Sequence, residues 1–436
     1  MARRKSLQTL NIFLNALPLG SLSYEKRNNL IFTYNAEWLN RQNSFPISRS
    51  LPLREEVYEG RRVYAYFDNL LPDGISIRQR IAAQMHAKSD QAFDLLEVVG
   101  RDCVGALQFV KTTDEEPSLE APTGTPLTEK EIASKLRKLR TIPLGASDEE
   151  DFRLSIAGAQ EKTAFLLLNG KWHTPLGASP TTHIFKPQIG EIRPGLGFAD
   201  SVENEWLCAK IVKAFGVPVA ECEIEFFEDI KVLVVERFDR AWVGNKLIRL
   251  PQEDICQALS IPNFKKYENE GGPGIVQIMD LMNESINRDE DRYNFMKTQI
   301  IFLLLGAIDG HAKNFSLSWR PTGFEMTPLY DILSAQPLLD KGVFQLQKLK
   351  MPMAYGNSRK YRLNEIYRRN VLETAKLCRF DQDRMEEIID QTINEIPEVI
   401  ERVQTSLPQS FPKEIAESIL TGMTKRQNQF IKSSSE

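Results

Sequence analysis

Residues 300–316, IIFLLLGAIDGHAKNFS, decide how the fold of this chain is interpreted, because an apolar run ends there abruptly in polar side chains. The apolar run at residues 300–305 predicts a buried helix. Asp309, His311 and Asn314 follow it within a few positions. Because a core helix holds the residues after it in place, the stretch predicts a loop of functional side chains at the end of such a helix.

The spacing of Asp309 and Asn314 is that of the D-x-x-x-x-N catalytic loop of kinases. In that loop the aspartate accepts the proton of an attacking hydroxyl, and the asparagine amide oxygen binds a magnesium ion, Mg²⁺, on the nucleotide phosphates. Asp331, in PLYDILS (residues 328–334), follows a strand-like step and offers a second hard oxygen ligand. Each motif alone is usually a turn, and a lone histidine such as His311 is more often structural. Their order along the chain predicts a Mg²⁺-dependent phosphotransferase.

Such an enzyme also needs a strand lysine for the α- and β-phosphates of ATP, and a helix carboxylate that holds the lysine. Lys186 lies in the strand-like run THIFKPQIG (residues 182–190), where an exposed surface lysine is the alternative. In the next helix, Glu205 falls on the apolar face and Glu203 on the opposite face. We therefore expect Glu205 to pair with Lys186.

The phosphate-binding loop is predicted at residues 155–162, SIAGAQEK. It has one glycine and matches neither G-x-G-x-x-G nor a Walker A loop, but its small residues let backbone N–H groups approach phosphate oxygens. Ser155 is either a turn serine or a hydroxyl within reach of the γ-phosphate. Residues 236–238, at the exit of strand-like KVLVVERF, fall where kinases present backbone groups to adenine, although a plain strand end is the alternative.

The composition is that of an ordinary globular protein of two or three domains: 436 residues, 42% hydrophobic and 26% charged, with a net charge of −4. The net charge gives no overall reason to bind nucleic acid. The five cysteines are scattered and never form a CxxC pair, so neither a disulfide framework nor a zinc site is indicated. We expect no leader and no membrane span, and hence a cytoplasmic protein.

The secondary-structure pattern changes from strand-rich to helix-rich along the chain. In the first 110 residues we predict strands at LNIFLNAL, NLIFTY, VYAYF and VGALQFV and a helix at SIRQRIAAQMHA, and residues 112–126 resemble a linker. Helices are predicted at residues 129–139 and 202–215, and through most of the chain after residue 254, including the amphipathic segment 384–403.

Several long motifs resemble one family, the HipA-type serine/threonine kinase toxins of bacterial toxin–antitoxin modules. The resemblance runs from about residue 10 to the C-terminus, and this many long motifs in one order make it specific. The motifs are YFDNLLPDG, FDLLEVVGRDCVGAL, SIAGAQEKTAFLL, TTHIFKPQIGEI, VERFDR, RLPQEDICQAL, GGPGI, DGHAKNFSL and LYDILSA.

The resemblance implies an α+β protein in which a small mixed α/β domain precedes a bilobal, kinase-like core with a helix-rich C-terminal lobe. We assign residues 1–127 to the first domain with its linker, 128–250 to the nucleotide-binding part and 251–436 to the catalytic lobe. By motif, Asp309 resembles the catalytic base, and Asn314 and Asp331 the Mg²⁺ ligands. The implied ATP-binding residues are Ala157, Gly158, Ala159, Gln160, Glu161, Lys162, Lys186, Glu236, Arg237, Phe238, His311, Ala312, Lys313, Asn314, Tyr330 and Asp331.

The family further implies that autophosphorylation of Ser155 displaces the phosphate loop and silences the enzyme. It implies a HipB-like helix-turn-helix antitoxin dimer, operator DNA bound through the antitoxin, and a protein substrate such as glutamate–tRNA ligase, whose phosphorylation arrests growth. Lys376 and Arg379 match positions that touch DNA in such complexes, although a solvated helix face explains them equally well. One departure from ordinary protein kinases is that no D-F-G follows the catalytic loop, since Ile332 follows Asp331.

Two other functions agree with the sequence. A degenerate kinase fold could act mainly as a co-repressor with the antitoxin, but Lys186, Asp309, Asn314 and Asp331 fill every catalytic position. A phosphotransferase acting on a small molecule is the other, because the acceptor is selected by surface shape.

Overall fold

A computed structural model describes residues 8–25, 29–139, 156–158, 160–193, 196–198 and 200–432. The strands are β1 (Gln8–Leu14), β2 (Leu17–Glu25), β3 (Asn29–Tyr34), β4 (Tyr58–Glu59), β5 (Leu107–Lys111), β6 (Gly124–Pro126), β7 (Thr163–Leu168), β8 (Lys171–Pro175), β9 (His183–Pro187), β10 (Ile189–Arg193), β11 (Leu196–Phe198), β12 (Cys222–Phe227), β13 (Ile230–Glu236), β14 (Arg240–Val243), β15 (Lys246–Arg249), β16 (Gln252–Asp254), β17 (Ser316–Arg320), β18 (Gly323–Met326), β19 (Lys350–Tyr355) and β20 (Lys360–Arg362).

The helices alternate with strands early in the chain and predominate late in it. They are α1 (Ala36–Leu39), α2 (Arg61–Asp68), α3 (Ile75–Gln84), α4 (Ala92–Val99), α5 (Glu129–Lys138), α6 (Ser201–Ala214), α7 (Ile255–Ala258), α8 (Ile275–Leu281), α9 (Arg288–Leu305), α10 (Gln336–Asp340), α11 (Arg368–Leu377), α12 (Gln382–Asn394), α13 (Ile396–Ser406) and α14 (Lys413–Lys432).

The described residues divide into two units. The first unit lies within Met1–Pro187, Glu225–Phe264 and Leu317–Gly323, and the second within Gln188–Ile224, Lys265–Ser316 and Phe324–Glu436. The predicted boundaries at residues 127 and 250 stay predictions.

The first unit begins with a five-stranded antiparallel sheet in the order β4-β3-β2-β1-β5. The strands predicted at NLIFTY and VGALQFV are present as β3 and β5. The strand predicted at VYAYF was wrong, because these residues belong to α2. Their aromatic side chains pack against the sheet, with the ring of Phe67 5.6 Å from that of Phe32. Tertiary packing therefore overrides the β-propensity of this segment.

The larger sheet has six strands in the order β12-β13-β9-β7-β8-β6. Helix α5 is present as predicted and packs its apolar face, Ile132, Ala133 and Leu136, against Phe165 and Phe185 of the central strands. Its N-terminus carries a capping box in which Thr128 and Glu131 satisfy each other's backbone N–H groups.

The second unit is built around α9. This helix contacts α6, α12 and α14, and its last eleven residues are all buried, which confirms the core helix predicted before the catalytic loop. The segment predicted at residues 384–403 is divided between α12 and α13. The division falls at Glu395, because Pro397 supplies no backbone N–H and is tolerated only in the first turn of a new helix.

No helix in the described part of the chain is both long enough and apolar enough to cross a lipid bilayer.

Candidate active site

The residues predicted for the site are divided between the two units. The second unit contains the predicted catalytic loop. Helix α9 ends at Gly306, which adopts a left-handed conformation with φ of 63° and donates its N–H to Leu303 O, while Ala307 N donates to Phe302 O. This termination turns the chain sharply out of the helix. The loop then packs back on the helix, because a Cβ on Gly310 would overlap the ring of Phe302.

Asp309 has a fixed backbone and an accessible carboxylate. Its carbonyl oxygen accepts from His311 N at 2.8 Å and from Asn314 Nδ2 at 2.7 Å, which closes the loop. Its side chain is 50% exposed, whereas that of His311 is 4% exposed. The carboxylate accepts a hydrogen bond from the hydroxyl of Tyr267, and His311 Nε2 lies 3.8 Å from the same oxygen, Oδ1. An incoming hydroxyl can therefore reach this carboxylate from solvent.

Asn314 is buried and joins the predicted base, Asp309, to Asp331, the other predicted metal-binding residue. Its Nδ2 donates to Asp309 O and, at 3.4 Å, to Asp331 O. Because the amide nitrogen is engaged by these carbonyls, the amide oxygen points away from them. Asp331 has a φ of 61°, in the left-handed region that non-glycine residues rarely adopt. Backbone strain of this kind is concentrated at functional sites and costs on the order of 1–3 kcal/mol.

The sequence suggested that Asp331 follows a strand, but it does not. It follows an isolated parallel bridge between Leu329 and Val219, in which Ala220 N donates to Leu329 O at 2.8 Å and Leu329 N to Pro218 O at 2.9 Å. This pairing fixes the segment just before Asp331 against the segment that follows helix α6.

A second set of contacts fixes the segment after Asp331. Ser334 Oγ donates to Leu305 O at 2.6 Å, so this residue caps the end of α9. Asn204, on α6, exchanges two hydrogen bonds of 2.8 Å with the backbone of Ser334. The two halves of the predicted Mg²⁺ site are therefore held on the same helix end.

The other residues predicted in this loop have mainly structural contacts. Ala312, Lys313 and His311 are buried. The Tyr330 hydroxyl donates to Lys313 O at 2.8 Å and lies 2.5 Å from Ser316 Oγ. Tyr330 thus stabilises the end of the loop, at residues 313–316. Whether these residues contact ATP stays a prediction.

The first unit contains the predicted phosphate loop. Gly158 has a φ of 118°, and a Cβ there would overlap Lys162 Nζ, so only glycine suits this position. Lys162 Nζ donates to Ala157 O at 3.0 Å, which closes the loop on itself. Gln160 Nε2 donates to Pro187 O at 2.9 Å. The loop is therefore held next to the strand that carries Lys186.

The phosphate loop also contacts the N-terminal part of the first unit. Gly158 forms a parallel bridge with Pro72, and its carbonyl accepts from Asp73 N at 2.9 Å. Arg80, on α3, forms an ion pair with Glu161. Because these contacts come from YFDNLLPDG and the helix after it, the N-terminal sequence helps to position the loop.

Lys186 lies on β9, the third strand from one edge of the six-stranded sheet, and is buried. It is opposite Leu233 of β13 in the antiparallel register. The predicted strand lysine is therefore on a central strand. Its pairing with Glu205, on α6 of the second unit, stays a prediction. Glu205 was preferred because it lies on the apolar face of the helix. Burial does not distinguish the two residues, because Glu205 is 6% and Glu203 2% exposed in a helix that is buried on nearly every side.

Glu236 ends β13, and Arg237 and Phe238 follow it, at the strand exit as predicted, but the Arg237 side chain is engaged elsewhere. Its side chain is 1% exposed, and its backbone N–H donates to Thr182 O at 2.9 Å. The guanidinium instead forms hydrogen bonds of 2.9 and 2.7 Å to Asp239, and one of 2.9 Å to Thr181 Oγ1. The Arg237 carbonyl accepts from Arg240 N at 3.2 Å, whereas Glu236 is exposed, and the contact of these residues with adenine stays a prediction.

Arg237 belongs to a buried charge cluster of three arginines and two aspartates: Asp102, Arg237, Asp239, Arg240 and Arg249. Burial alone would raise the pKa of Asp102, but the three guanidinium groups around it hold that pKa well below its ordinary value. Burial lowers the pKa of Arg240 to about 10, so it stays charged at neutral pH. The cluster connects the N-terminal part of the first unit, through Asp102, to the segment after β13.

Two predicted residues, Ser155 and Ala159, lie outside the described residues. Lys376 and Arg379 are both exposed. Lys376 lies in the last turn of α11, and Arg379, two residues after the helix, has a left-handed backbone conformation. Both are accessible to a partner, and their contact with DNA stays a prediction.

Sequence reasoning missed Tyr267, Pro72, Asp73 and Arg80. Tyr267 lies 42 residues before the aspartate that it contacts, and Arg80 lies 81 residues before Glu161. A spacing rule connects residues within one element, so it could not find contacts at these separations. The available signal was the motif YFDNLLPDG, which contains Pro72 and Asp73, and the motif GGPGI, which follows Tyr267 by a few residues.

The chain matches two family models, the HipA N-terminal domain over residues 10–110 and the HipA-like C-terminal domain over residues 154–400. It is similar to the putative kinase Y4mE of Sinorhizobium fredii, with 35% identity over 335 residues, which cover 76% of this chain and 78% of the relative. It is also similar to the serine/threonine-protein kinase toxin HipA of Shewanella oneidensis, with 29% identity over 349 residues, covering 77% of this chain and 76% of that one.

Among solved structures, the chain resembles that of the Shewanella oneidensis toxin–antitoxin complex of HipA, HipB and operator DNA. The TM-score is 0.82 at 23% identity, and the match covers 98% of both chains. This likeness confirms the predicted α+β, kinase-like fold. Because one family model covers more than half of the chain, the chain belongs to the HipA family of serine/threonine-protein kinases.

Proposed function

We propose that this protein transfers the γ-phosphate of Mg²⁺-bound ATP to a serine or threonine hydroxyl of another protein, as the toxin of a toxin–antitoxin system. The observation that carries the proposal is the closed loop from Asp309 to Asn314. The Asn314 amide ties Asp309 O to Asp331 O, so one side chain holds the proton acceptor and the second metal-binding position together.

Asp309 is the proton acceptor in this proposal. Phosphoryl transfer requires little covalent chemistry from the protein, so the main tasks are to position the attacking hydroxyl and to take its proton. The half-exposed Asp309 carboxylate suits both tasks, because a hydroxyl can donate to it from solvent while its backbone stays fixed. Positioned acid–base groups contribute about 10²–10⁴-fold to rate.

The residues fit a magnesium ion. Mg²⁺ prefers oxygen ligands and is usually bound by one or two carboxylates together with substrate phosphates. Asn314 offers its amide oxygen, since its nitrogen is already engaged, and Asp331 offers a carboxylate on a constrained backbone. When bound, the ion neutralises charge on the phosphate oxygens. Asn314 and Asp331 would hold it.

The nucleotide would be bound by groups of the first unit. Lys186 supplies a positive charge on a central strand, and the glycine at position 158 lets the backbone of the predicted loop approach a phosphate closely. Lys162 supplies a second positive charge at the same loop, where its ammonium group closes the turn.

We further propose that a HipB-like antitoxin dimer restrains the enzyme and carries it to operator DNA, where Lys376 and Arg379 add minor contacts. The support is the likeness to a chain from a complex of HipA, HipB and operator DNA. Autophosphorylation of Ser155, a translation factor such as glutamate–tRNA ligase as the acceptor, and action in the cytoplasm complete the proposal, and these rest on the family resemblance.

The proposed activity is tested by incubating a cell lysate with γ-labelled ATP, Mg²⁺ and either the wild-type protein or Asp309→Asn. We expect labelled serine or threonine in the lysate proteins with the wild type, and a fall of at least about 100-fold with the variant. Asp289→Asn is the matched control, because this exposed residue lies in the first turn of α9, at the opposite end from the loop. Equal labelling by wild type and Asp309→Asn would remove Asp309 from the role of base, and no labelling by the wild type would contradict the kinase proposal.

A further inference from the structure

The carboxylate of Asp309 is held by a side chain from a distant segment, the hydroxyl of Tyr267. We propose that Tyr267 is a positioning residue for phosphate transfer: it fixes one oxygen of Asp309 and leaves the other to accept the proton of the acceptor hydroxyl. The inference rests on the proposed function.

Asp309 needs such a partner because only its backbone is fixed by the loop. Hydrogen bonds from His311 N and Asn314 Nδ2 reach its carbonyl oxygen, not its carboxylate. A half-exposed aspartate can otherwise change rotamer freely. His311 Nε2, at 3.8 Å from Oδ1, is beyond hydrogen-bonding distance, so the Tyr267 hydroxyl is the closer restraint.

Tyr267 is itself held in place by its ring and its backbone. The ring meets the His311 ring edge-on, with centroids 4.9 Å apart and an interplanar angle of 83°. Its carbonyl oxygen accepts from Gly272 N at 2.9 Å and from Glu270 N at 3.1 Å, which closes a tight turn. The hydroxyl therefore approaches Asp309 from a constrained segment.

The turn is anchored to the rest of the second unit through Glu268. This carboxylate accepts from Ala354 N, on β19, at 2.6 Å, and forms an ion pair of 2.9 Å with Arg359. A side chain on Gly274 would overlap the Glu268 carboxylate, so the segment after the turn lies directly against this anchor. The position of the Tyr267 hydroxyl is thus fixed on an element other than the catalytic loop.

A purely structural role for this tyrosine is the alternative. Tyr267 is only half-buried, so the core of the second unit does not depend on its hydroxyl. Replacement by phenylalanine keeps the ring contact with His311 and removes the hydroxyl that donates to Asp309. The two roles therefore predict different results for this one change.

The test measures steady-state phosphate transfer by Tyr267→Phe in the full chain. The substrates are γ-labelled ATP and the lysate protein that the wild-type enzyme labels in the experiment above. We expect kcat to fall about 10- to 100-fold while KM for ATP and the melting temperature stay unchanged, because small errors in the placement of a catalytic group are costly. Tyr293→Phe is the matched control. Tyr293 is also half-buried, lies in α9 beneath the guanidinium of Arg384, and keeps that contact as phenylalanine. We expect it to be as active as the wild type.

A double-variant comparison shows whether the effect passes through Asp309. In the Asp309→Asn background, removing the Tyr267 hydroxyl should lower the residual rate no further. An equal fall in both backgrounds, or a wild-type kcat in Tyr267→Phe, overturns this inference and leaves the proposed function intact. An inactive wild-type enzyme overturns the proposed function and the inference with it.

Discussion

The buried charge cluster gives the sharpest prediction about stability. Asp102 accepts from Thr181 Oγ1 at 2.8 Å, from Arg240 at 2.9 Å and from Arg249 at 3.1 Å. Asp102→Asn keeps the shape of the side chain but removes its charge and turns one acceptor oxygen into a donor. The new amide group then faces guanidinium N–H groups, so donors oppose donors in a buried site.

The size of the effect follows from the charges and burial. Three arginines and two aspartates give the cluster a net charge of +1, and the substitution raises it to +2. Removing one partner of a buried ion pair typically costs about 3–5 kcal/mol. At about 2–4 °C per kcal/mol, the melting temperature should fall by on the order of 10 °C.

Scanning calorimetry at pH 7 measures this change. The pKa of Asp102 is lowered in the folded protein, so its contribution is fully present above the ordinary value of 3.8 and is lost as the pH falls through the lowered value. Asp114→Asn is the control, because the partly exposed pair of Asp114 with Arg101, 2.8 Å apart, should contribute less than about 1 kcal/mol. The reasoning is refuted if Asp102→Asn melts within the range of this control.

Two further predictions concern the first unit. Burial raises the pKa of Glu253 from 4.5 to about 7, so the folded state binds its proton more tightly and stability should fall by about 3 kcal/mol as the pH rises from 4.5 to 7. Urea unfolding of Glu253→Gln should lack this fall, and parallel pH profiles for variant and wild type would contradict the assignment. Arg80→Glu should raise KM for ATP about fivefold by breaking the pair with Glu161, a modest effect because both side chains are partly exposed. Adding Glu161→Arg should restore KM, and a doubly reversed enzyme as weak as the single variant would show that the pair does not hold the phosphate loop.

Local sequence was a reliable guide wherever the relevant contacts join residues close in the chain. The run at residues 300–305 was predicted as a core helix, and α9 confirms it, since such a run has nowhere to lie but the interior. Asp309 and Asn314 were placed together by spacing alone, and the structure connects them by a hydrogen bond within one loop. Helix α5 was predictable for the same reason, because its capping box and apolar face are both local features.

Local reasoning failed where the packing partner of a segment was unknown. VYAYF has the composition of a strand, yet its residues form α2 because that helix buries them against the first sheet. The helical pattern likewise failed to distinguish Glu205, on the apolar face of α6, from Glu203 on the opposite face, since both are buried in a helix covered on nearly every side. The hydrophobic pattern of a single helix is interpreted as if one face were exposed to solvent, and only the tertiary fold decides whether such a face exists.

The sequence by itself therefore determined the core helix that precedes residues 306–316, and it predicted the catalytic loop and the phosphate-binding elements, because these features depend on spacing and hydrophobicity within short segments. Only the tertiary structure decided that Tyr267 holds the Asp309 carboxylate, that Pro72 and Arg80 support the phosphate loop, and that Arg237 is committed to a buried cluster. These contacts join residues far apart in the chain, and their geometry exists only after the whole chain has packed.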